Sequence, residues 1–214
     1  MEQVPPYGSL RQEPSEDDAA DSYKYPESQR TVEANLPVLG YSTPPLSEDT
    51  EVTGPASLVL YAASTAEDAS WVVKVDDQSP DGSFTVAGKG WLRASHRELD
   101  DARSFPGQPF HTHTNPTPIE PNKVYRYDVE IWPIFRAFKA GHKIRLRIAS
   151  SDSRTWDANN FHLPVELPAT ITVHHNRLHP SHLLLPVAPA SRKTRGRKPP
   201  FAYEPVPPVI GARS

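Results

Sequence analysis

The side chains whose types and spacing could do chemistry fall into three groups: a serine beside a glycine, closely spaced histidines, and runs of carboxylates. A serine hydrolase needs its nucleophile on a sharp strand-to-helix turn flanked by glycines, so that strand and helix approach closely around it. Gly40-Tyr41-Ser42-Thr43-Pro44 supplies only the first glycine. Pro44 and Pro45 cannot continue a hydrogen-bonded helix, so Ser42 is expected in a loop that leads into the folded body. Among the histidines, His111-Thr112-His113 would put two imidazoles on one strand face, and His174, His175, His179 and His182 lie close together near the end. Such nitrogens suit zinc or nickel. No thiolate accompanies them and the nearest carboxylate in sequence is Glu166, so they are expected to be packed or exposed, and no metal or cofactor is assigned. Asp76, Asp77 and Asp81 before Gly82 lack the alternating oxygen ligands and closing glutamate of a calcium loop, and a hairpin turn accounts for them better. Asp100 and Asp101 sit in a polar loop, and nothing sets two carboxylates across a cleft for acid-base work. No catalytic residue is assigned to this chain.

The elements that would position any of these groups are short strands. With 25 prolines and 10 glycines in 214 residues, the sequence is too turn-rich for a helical bundle. The formal net charge of -3 creates no field for polyanions, so nucleic acid is not an expected partner. The absence of cysteine removes disulfides and thiolate sites, as is usual in a reducing compartment. No signal-like apolar core opens the chain and no run of about 18 apolar residues occurs, so a cytoplasmic protein with no membrane contact is expected.

Two-residue alternation marks the strands. From Lys123 to Trp132, the residues Tyr125, Tyr127, Val129 and Ile131 share one face while Arg126, Asp128 and Glu130 oppose them. From His142 to Ala149, Ile144, Leu146 and Ile148 alternate with Lys143, Arg145 and Arg147. Further strands are expected at Ser57 to Ala62, Trp71 to Val75, Phe84 to Lys89, Trp91 to Ser95, Thr170 to His174 and Ser181 to Val187. Ser79-Pro80-Asp81-Gly82 reads as a tight turn, and Ala140-Gly141 allows a positive φ before a strand. Helix is expected only in traces, at Ser64 to Ala69 with its capping-box look and as a turn within Pro133 to Lys139. Trp71, Trp91 and Trp132 fall in strand patterns and are expected in the core, which leaves Trp156 as the one tryptophan in a loop.

The division expected from composition is an extended N-terminal arm over residues 1–35, a β-sandwich over 36–188, and a disordered basic, proline-rich tail over 189–214. The arm's acidic stretch, Arg11 to Glu33, is expected to hug the surface and bury little. Leu36 to Pro45 reads as turns. Arg192, Lys193, Arg195, Arg197 and Lys198 stand without an acidic neighbour, and solvated disorder is expected there.

Longer stretches carry a resemblance. Ser42-Thr43-Pro44-Pro45-Leu46-Ser47-Glu48-Asp49-Thr50-Glu51-Val52-Thr53-Gly54-Pro55 leads into the strand Leu58-Val59-Leu60-Tyr61. It is followed in order by Gly90-Trp91-Leu92-Arg93-Ala94-Ser95-His96-Arg97, Pro121 to Trp132, and Phe138-Lys139-Ala140-Gly141-His142-Lys143-Ile144-Arg145-Leu146 with Ser150-Ser151-Asp152. This series resembles the C-terminal domain of the X-Pro dipeptidyl-peptidase and cocaine-esterase family of α/β-hydrolases. The resemblance implies an all-β jelly roll of the galactose-binding-like type, packed against a preceding α/β-hydrolase domain that carries the whole catalytic triad. Where the family usually continues with a Phe-Pro-Arg-Phe-Asp type sequence, this chain has Ser153-Arg154-Thr155-Trp156-Asp157, so the charged positions are kept and the apolar ones changed.

The resemblance therefore implies a non-catalytic module that acts as a scaffold and as a wall of the substrate entrance for an α/β-hydrolase domain. That partner is in cis in relatives and in cis or in trans here. Asp152, Arg154, Trp156 and Asp157 are the expected domain-contact or ligand residues. Two alternatives stand beside it: a carbohydrate- or peptide-binding module, against which a single loop platform at Trp156 argues, and the remnant of a truncated hydrolase gene.

Overall fold

The computed structural model describes residues 8–10, 20–25, 38–151 and 168–188. Ten strands run in chain order: β1 (Gly8–Ser9), β2 (Ala20–Tyr25), β3 (Val38–Ser42), β4 (Thr50–Ser64), β5 (Ser70–Gln78), β6 (Phe84–Arg93), β7 (Tyr125–Phe138), β8 (Lys143–Ala149), β9 (Ala169–His174) and β10 (His182–Leu184). They form two sheets. One has the order β1-β3-β8-β5-β6, and the other the order β10-β4-β9-β2 with β7 also paired to β4. All pairings are antiparallel except β1 with β3. The protein is an all-β sandwich, and the core lies between the sheets.

The alternation read from sequence is what fills that core. Tyr127, Val129 and Ile131 of β7 are buried opposite Leu60, Leu58 and Ala56 of β4. Ile144, Leu146 and Ile148 of β8 meet Val73 and Val75 of β5 in the same interior. Trp71 lies at its centre with its ring 5.0 Å from that of Tyr127. Burying each large apolar side chain of this kind contributes about 1.5–3 kcal/mol.

The two sheets nearly touch where β6 faces β7. A Cβ at Gly90 would lie 2.1 Å from the Glu130 carbonyl oxygen, so only glycine allows this approach. The tight turn read at Ser79 to Gly82 forms, with the Gly82 N–H donating to the Ser79 carbonyl at 2.9 Å and Gly82 at φ +85°.

Several expectations are corrected by the fold. Pro133 to Phe138 continues β7 instead of making a helical turn. In the β4–β7 register Gly54 faces Ile134 and Ala56 faces Ile131, so Trp132 and Pro133 together oppose Pro55. This bulge resets the alternation, which is why both Ile131 and Ile134 are buried, and it absorbs two prolines that cannot donate to a ladder. Ser64 to Ala69 forms no helix: the Ser64 hydroxyl accepts from the Ala66 N–H at 3.0 Å in a bend between β4 and β5. The strands expected separately at Phe84 to Lys89 and Trp91 to Ser95 are one strand, β6, ending in a 3-10 turn at Ala94–His96. Val38–Ser42, read as turns, is β3. The acidic stretch expected to bury little contributes β2, paired along its length with β9, and its Tyr23 and Tyr25 enter the core. The basic tail lies outside the described residues.

Candidate functional site

The described residues offer three polar constellations and one exposed aromatic edge. The first constellation is a pair of carboxylates at the end of β5. Asp76 is fully buried on the outer face of its sheet, where Arg147 grips it with two bonds, Nε to Oδ2 at 2.6 Å and Nη2 to Oδ1 at 2.8 Å. Arg145 Nε lies 3.2 Å from the same Oδ2, and the Phe84 ring covers both guanidinium groups at 4.2 and 4.9 Å. Asp77, one residue on and past a register shift, turns to the other sheet. It accepts from Arg136 of β7 at 2.9 Å and from His142 Nδ1 at 2.7 Å. Asp76 and Asp77 therefore belong to a strand and to ion pairs, a correction to their reading as hairpin-turn residues. Only Asp81 caps the turn, accepting from the Ser83 N–H and hydroxyl, which hold its carboxyl below the usual carboxylate range.

The second constellation joins Tyr41, Asp21 and His175. The Tyr41 hydroxyl donates to Asp21 Oδ2 at 2.9 Å, and His175 Nε2 lies 3.0 Å from the same oxygen. Burial and the Asp21 carboxylate push the Tyr41 phenol well above its ordinary range. A histidine held by a carboxylate is half of a hydrolytic relay, but the hydroxyl beside it is a tyrosine's that already donates to the acid. His142 on Asp77 is the other such pair, and in neither is a serine hydroxyl bonded to the imidazole among the described residues. Ser42 lies on the edge-side strand β3, and its neighbour Thr43 accepts from the Ile144 N–H, so the Gly40 segment is sheet and not a nucleophile elbow. Buried Ser95 is held by Asp68 through its N–H at 2.8 Å and its hydroxyl at 2.7 Å.

The third constellation is histidine. His111 and His113, named from sequence, do lie together, with ring centroids 5.7 Å apart. The sequence reading missed His96, whose Nδ1 is 3.2 Å from His113 Nδ1. No spacing rule connects residues so far apart, because the contact depends on how the excursion between β6 and β7 folds back. Partial desolvation and the two neighbouring imidazoles hold His113, which is exposed on one side, below the ordinary imidazole range. The other histidine group does not assemble in the same way: the His174 and His179 rings lie 5.4 Å apart at a tilt of 56°, while His182 Nδ1 donates to the Pro180 carbonyl at 2.6 Å. Among the described residues no three histidine, aspartate or glutamate side chains converge as a ready-made ion cage.

The aromatic edge runs along β7. Trp132 is 65% exposed and Phe135 75% exposed. The expectation that Trp132 is core is corrected: it follows inward-pointing Ile131, and the bulge keeps it on the outside. Trp91 is half-buried with its ring 5.3 Å from that of Trp132, so of the three strand tryptophans only Trp71 is fully interior. Asp152, Arg154, Trp156 and Asp157, the residues expected to meet a partner or ligand, lie outside the described residues. Among the described residues no helix is long and apolar enough to cross a membrane.

The fold is thus an all-β sandwich in which the buried carboxylates at the end of β5 are paired with arginine and histidine. Comparison with known proteins gives the family: residues 2–184 match the X-Pro dipeptidyl-peptidase C-terminal non-catalytic domain, and the chain belongs to that family. It is 30% identical over 170 residues to the cocaine esterase of Rhodococcus sp. (strain MB1 Bresler), a match that covers 76% of this chain and 27% of the esterase. The chain thus spans about a quarter of the length of the curated relatives it matches. Among solved structures it is similar to a CocE/NonD family hydrolase from Staphylococcus aureus, with a TM-score of 0.69 at 18% identity over 84% of this chain and 34% of that one. It is also similar to an aminopeptidase from the marine sediment archaeon Thaumarchaeota archaeon, with a TM-score of 0.64 at 22% identity over 82% of this chain and 34% of that one. These structural likenesses concern the fold.

Proposed function

We propose that this module serves a serine hydrolase by packing against an α/β-hydrolase domain, bracing that domain's loops and walling one side of its substrate entrance. The observation that carries the reading is the match of residues 2–184 to a non-catalytic C-terminal domain, in a chain that spans about a quarter of its hydrolase relatives. The mechanism is positional. Rate enhancement depends on reacting atoms held within narrow distances, and a rigid neighbour that immobilises loops contributes to it without supplying a reacting group.

Two surfaces support the docking. The exposed Trp132 and Phe135 offer apolar area of the kind that anchors interfaces. Asp152, Arg154, Trp156 and Asp157 are the second proposed contact, on the strength of the sequence resemblance of that stretch to the family. The hydrolase domain acts on esters, acyl amides or X-Pro peptides, and it sits in the same polypeptide or in a separate one.

The test is turnover of a p-nitrophenyl ester and of an X-Pro chromogenic peptide by the purified chain, alone and mixed with a family α/β-hydrolase domain that lacks its own C-terminal module. The chain alone is expected to be inactive and to raise the activity and thermal midpoint of the hydrolase domain on mixing. Turnover by the chain alone, abolished by a serine-directed inhibitor, overturns the reading.

A further inference from the structure

We propose that the facing Nδ1 atoms of His96 and His113 are a two-imidazole binding site for a divalent transition-metal ion of the zinc class, with solvent completing its coordination. The two nitrogens are 3.2 Å apart. With Zn–N bonds of about 2.0–2.1 Å, a tetrahedral ion spaces two of its nitrogen ligands by about 3.3 Å. The present separation matches that spacing, and turning the two rings aims both nitrogens at one ion.

The spacing is imposed by backbone anchored independently on each side. His96 ends the 3-10 turn after β6, and that turn is tied down by the buried Ser95–Asp68 bonds at 2.7 and 2.8 Å and by the Ala94 N–H donating to the Ala69 carbonyl at 2.8 Å. Arg97 secures the same turn from outside, donating to the Ala94 carbonyl at 3.1 Å and to the Thr117 carbonyl at 2.6 Å. His113 sits at φ +53°, a left-handed conformation uncommon outside glycine, although less so for histidine than for bulkier residues. Its neighbour Thr112 is bonded to Glu98 through the backbone at 3.3 Å and the side chain at 3.1 Å. Both backbone segments are thus anchored by bonds within the fold, which sets the positions from which the two rings meet.

His111 gives a second, independent sign. Its Nε2 lies 2.7 Å from the Asp128 carbonyl oxygen, and since a carbonyl only accepts, Nε2 carries the ring proton. The Nδ1 of the same ring is then a bare lone pair. It is buried and has no hydrogen-bond partner among the described residues, in a side chain only 9% exposed and one ring away from His113. Three imidazoles thus gather where at least two lone pairs compete for a single bridging proton, and one more lacks a donor altogether. For an ion to enter the pair, the ring that carries the bridging Nδ1–H passes that proton through solvent to its own Nε2, so both rings stay neutral imidazoles with Nδ1 free to ligate.

The test uses the full chain, tag-free and stripped with chelator, in equilibrium dialysis against Zn²⁺. One Zn²⁺ per chain is expected, with Cu²⁺ bound more tightly and Mn²⁺ more weakly. His96→Gln and His113→Asn are each expected to weaken Zn²⁺ binding by about 10–100-fold or more, while His179→Gln leaves it unchanged. Asparagine tolerates the left-handed conformation at 113, and near-UV circular dichroism checks that each variant keeps its fold. Nitrogen-15 shifts of His96 Nδ1 and His113 Nδ1 should move on Zn²⁺ addition. Failure to bind a stoichiometric ion, or binding that survives both substitutions and so marks an adventitious ion elsewhere, overturns the proposal. Either outcome leaves the docking reading untouched.

Discussion

The carboxylates at the end of β5 and the histidines beyond the end of β6 are both clusters of ionisable side chains, yet they are built on opposite plans. Asp76 and Asp77 receive bonds from Arg147, Arg136 and His142, and an aromatic ring lies over the guanidinium groups. His96, His111 and His113 bring together lone pairs with too few protons to share. A buried network of paired opposite charges holds a structure in one arrangement, since removing the carboxylate leaves its cations in a poorly solvated place. An unsaturated one at a surface costs less to disturb and has capacity left for a ligand. The difference separates scaffold from site within one small sheet.

The contrast can be broken most forcefully at Asp76. Replacing it with alanine removes the buried carboxylate that Arg147 grips with two bonds, and a loss of about 3–5 kcal/mol is expected in urea unfolding. A smaller loss is expected for Asp77→Ala, because Arg136 and His142 reach solvent. Next is Gly90→Ala, whose new methyl meets the Glu130 carbonyl. A cost of about 1–3 kcal/mol or more is expected from the forced separation of β6 and β7.

Alkaline pH sharpens the comparison by titrating a third buried set. Burial pushes the phenols of Tyr23, Tyr41 and Tyr127 well above their ordinary value, with the Asp21 carboxylate adding to the shift at Tyr41. A raised phenol stabilises the fold fully below about pH 10 and loses that contribution as pH climbs from there toward the folded-state value. Tyr41→Phe should therefore lower stability below about pH 10 and flatten its fall above that pH, as followed by urea unfolding with circular dichroism. The smallest effects are expected at the unsaturated cluster and the exposed edge. His96→Gln and Trp132→Ser should each change unfolding free energy by no more than about 0.5 kcal/mol. A large loss from His96→Gln would place the histidines with the scaffold after all.

The strands that build the core were legible because sheet geometry has a period of two, and that period survives in the residues themselves. Tyr125, Tyr127, Val129 and Ile131 announce β7, and Ile144, Leu146 and Ile148 announce β8. The motifs between them were enough to point to the family, and the match over residues 2–184 agrees. Prolines misled at Leu36 to Pro45, where Pro37 and Pro44 flank β3 without entering it, and at Pro133, since a bulge tolerates a residue without an N–H. Acidic composition misled at β2, because two tyrosines on one face suffice to anchor a strand whose other face stays in water.

Taken alone, the sequence determined the class of fold, the inward faces of its main strands and the family. Those follow from alternation and from ordered motifs, which are properties of neighbours along the chain. Tertiary structure alone decided that Asp76 and Asp77 face different partners, that Trp132 lies outside while Trp71 lies inside, and that His96 meets His113. Each depends on a bulge, a register or a loop returning across the sheet. Contacts between distant residues follow from where those features fall in space, and local pattern carries no record of it.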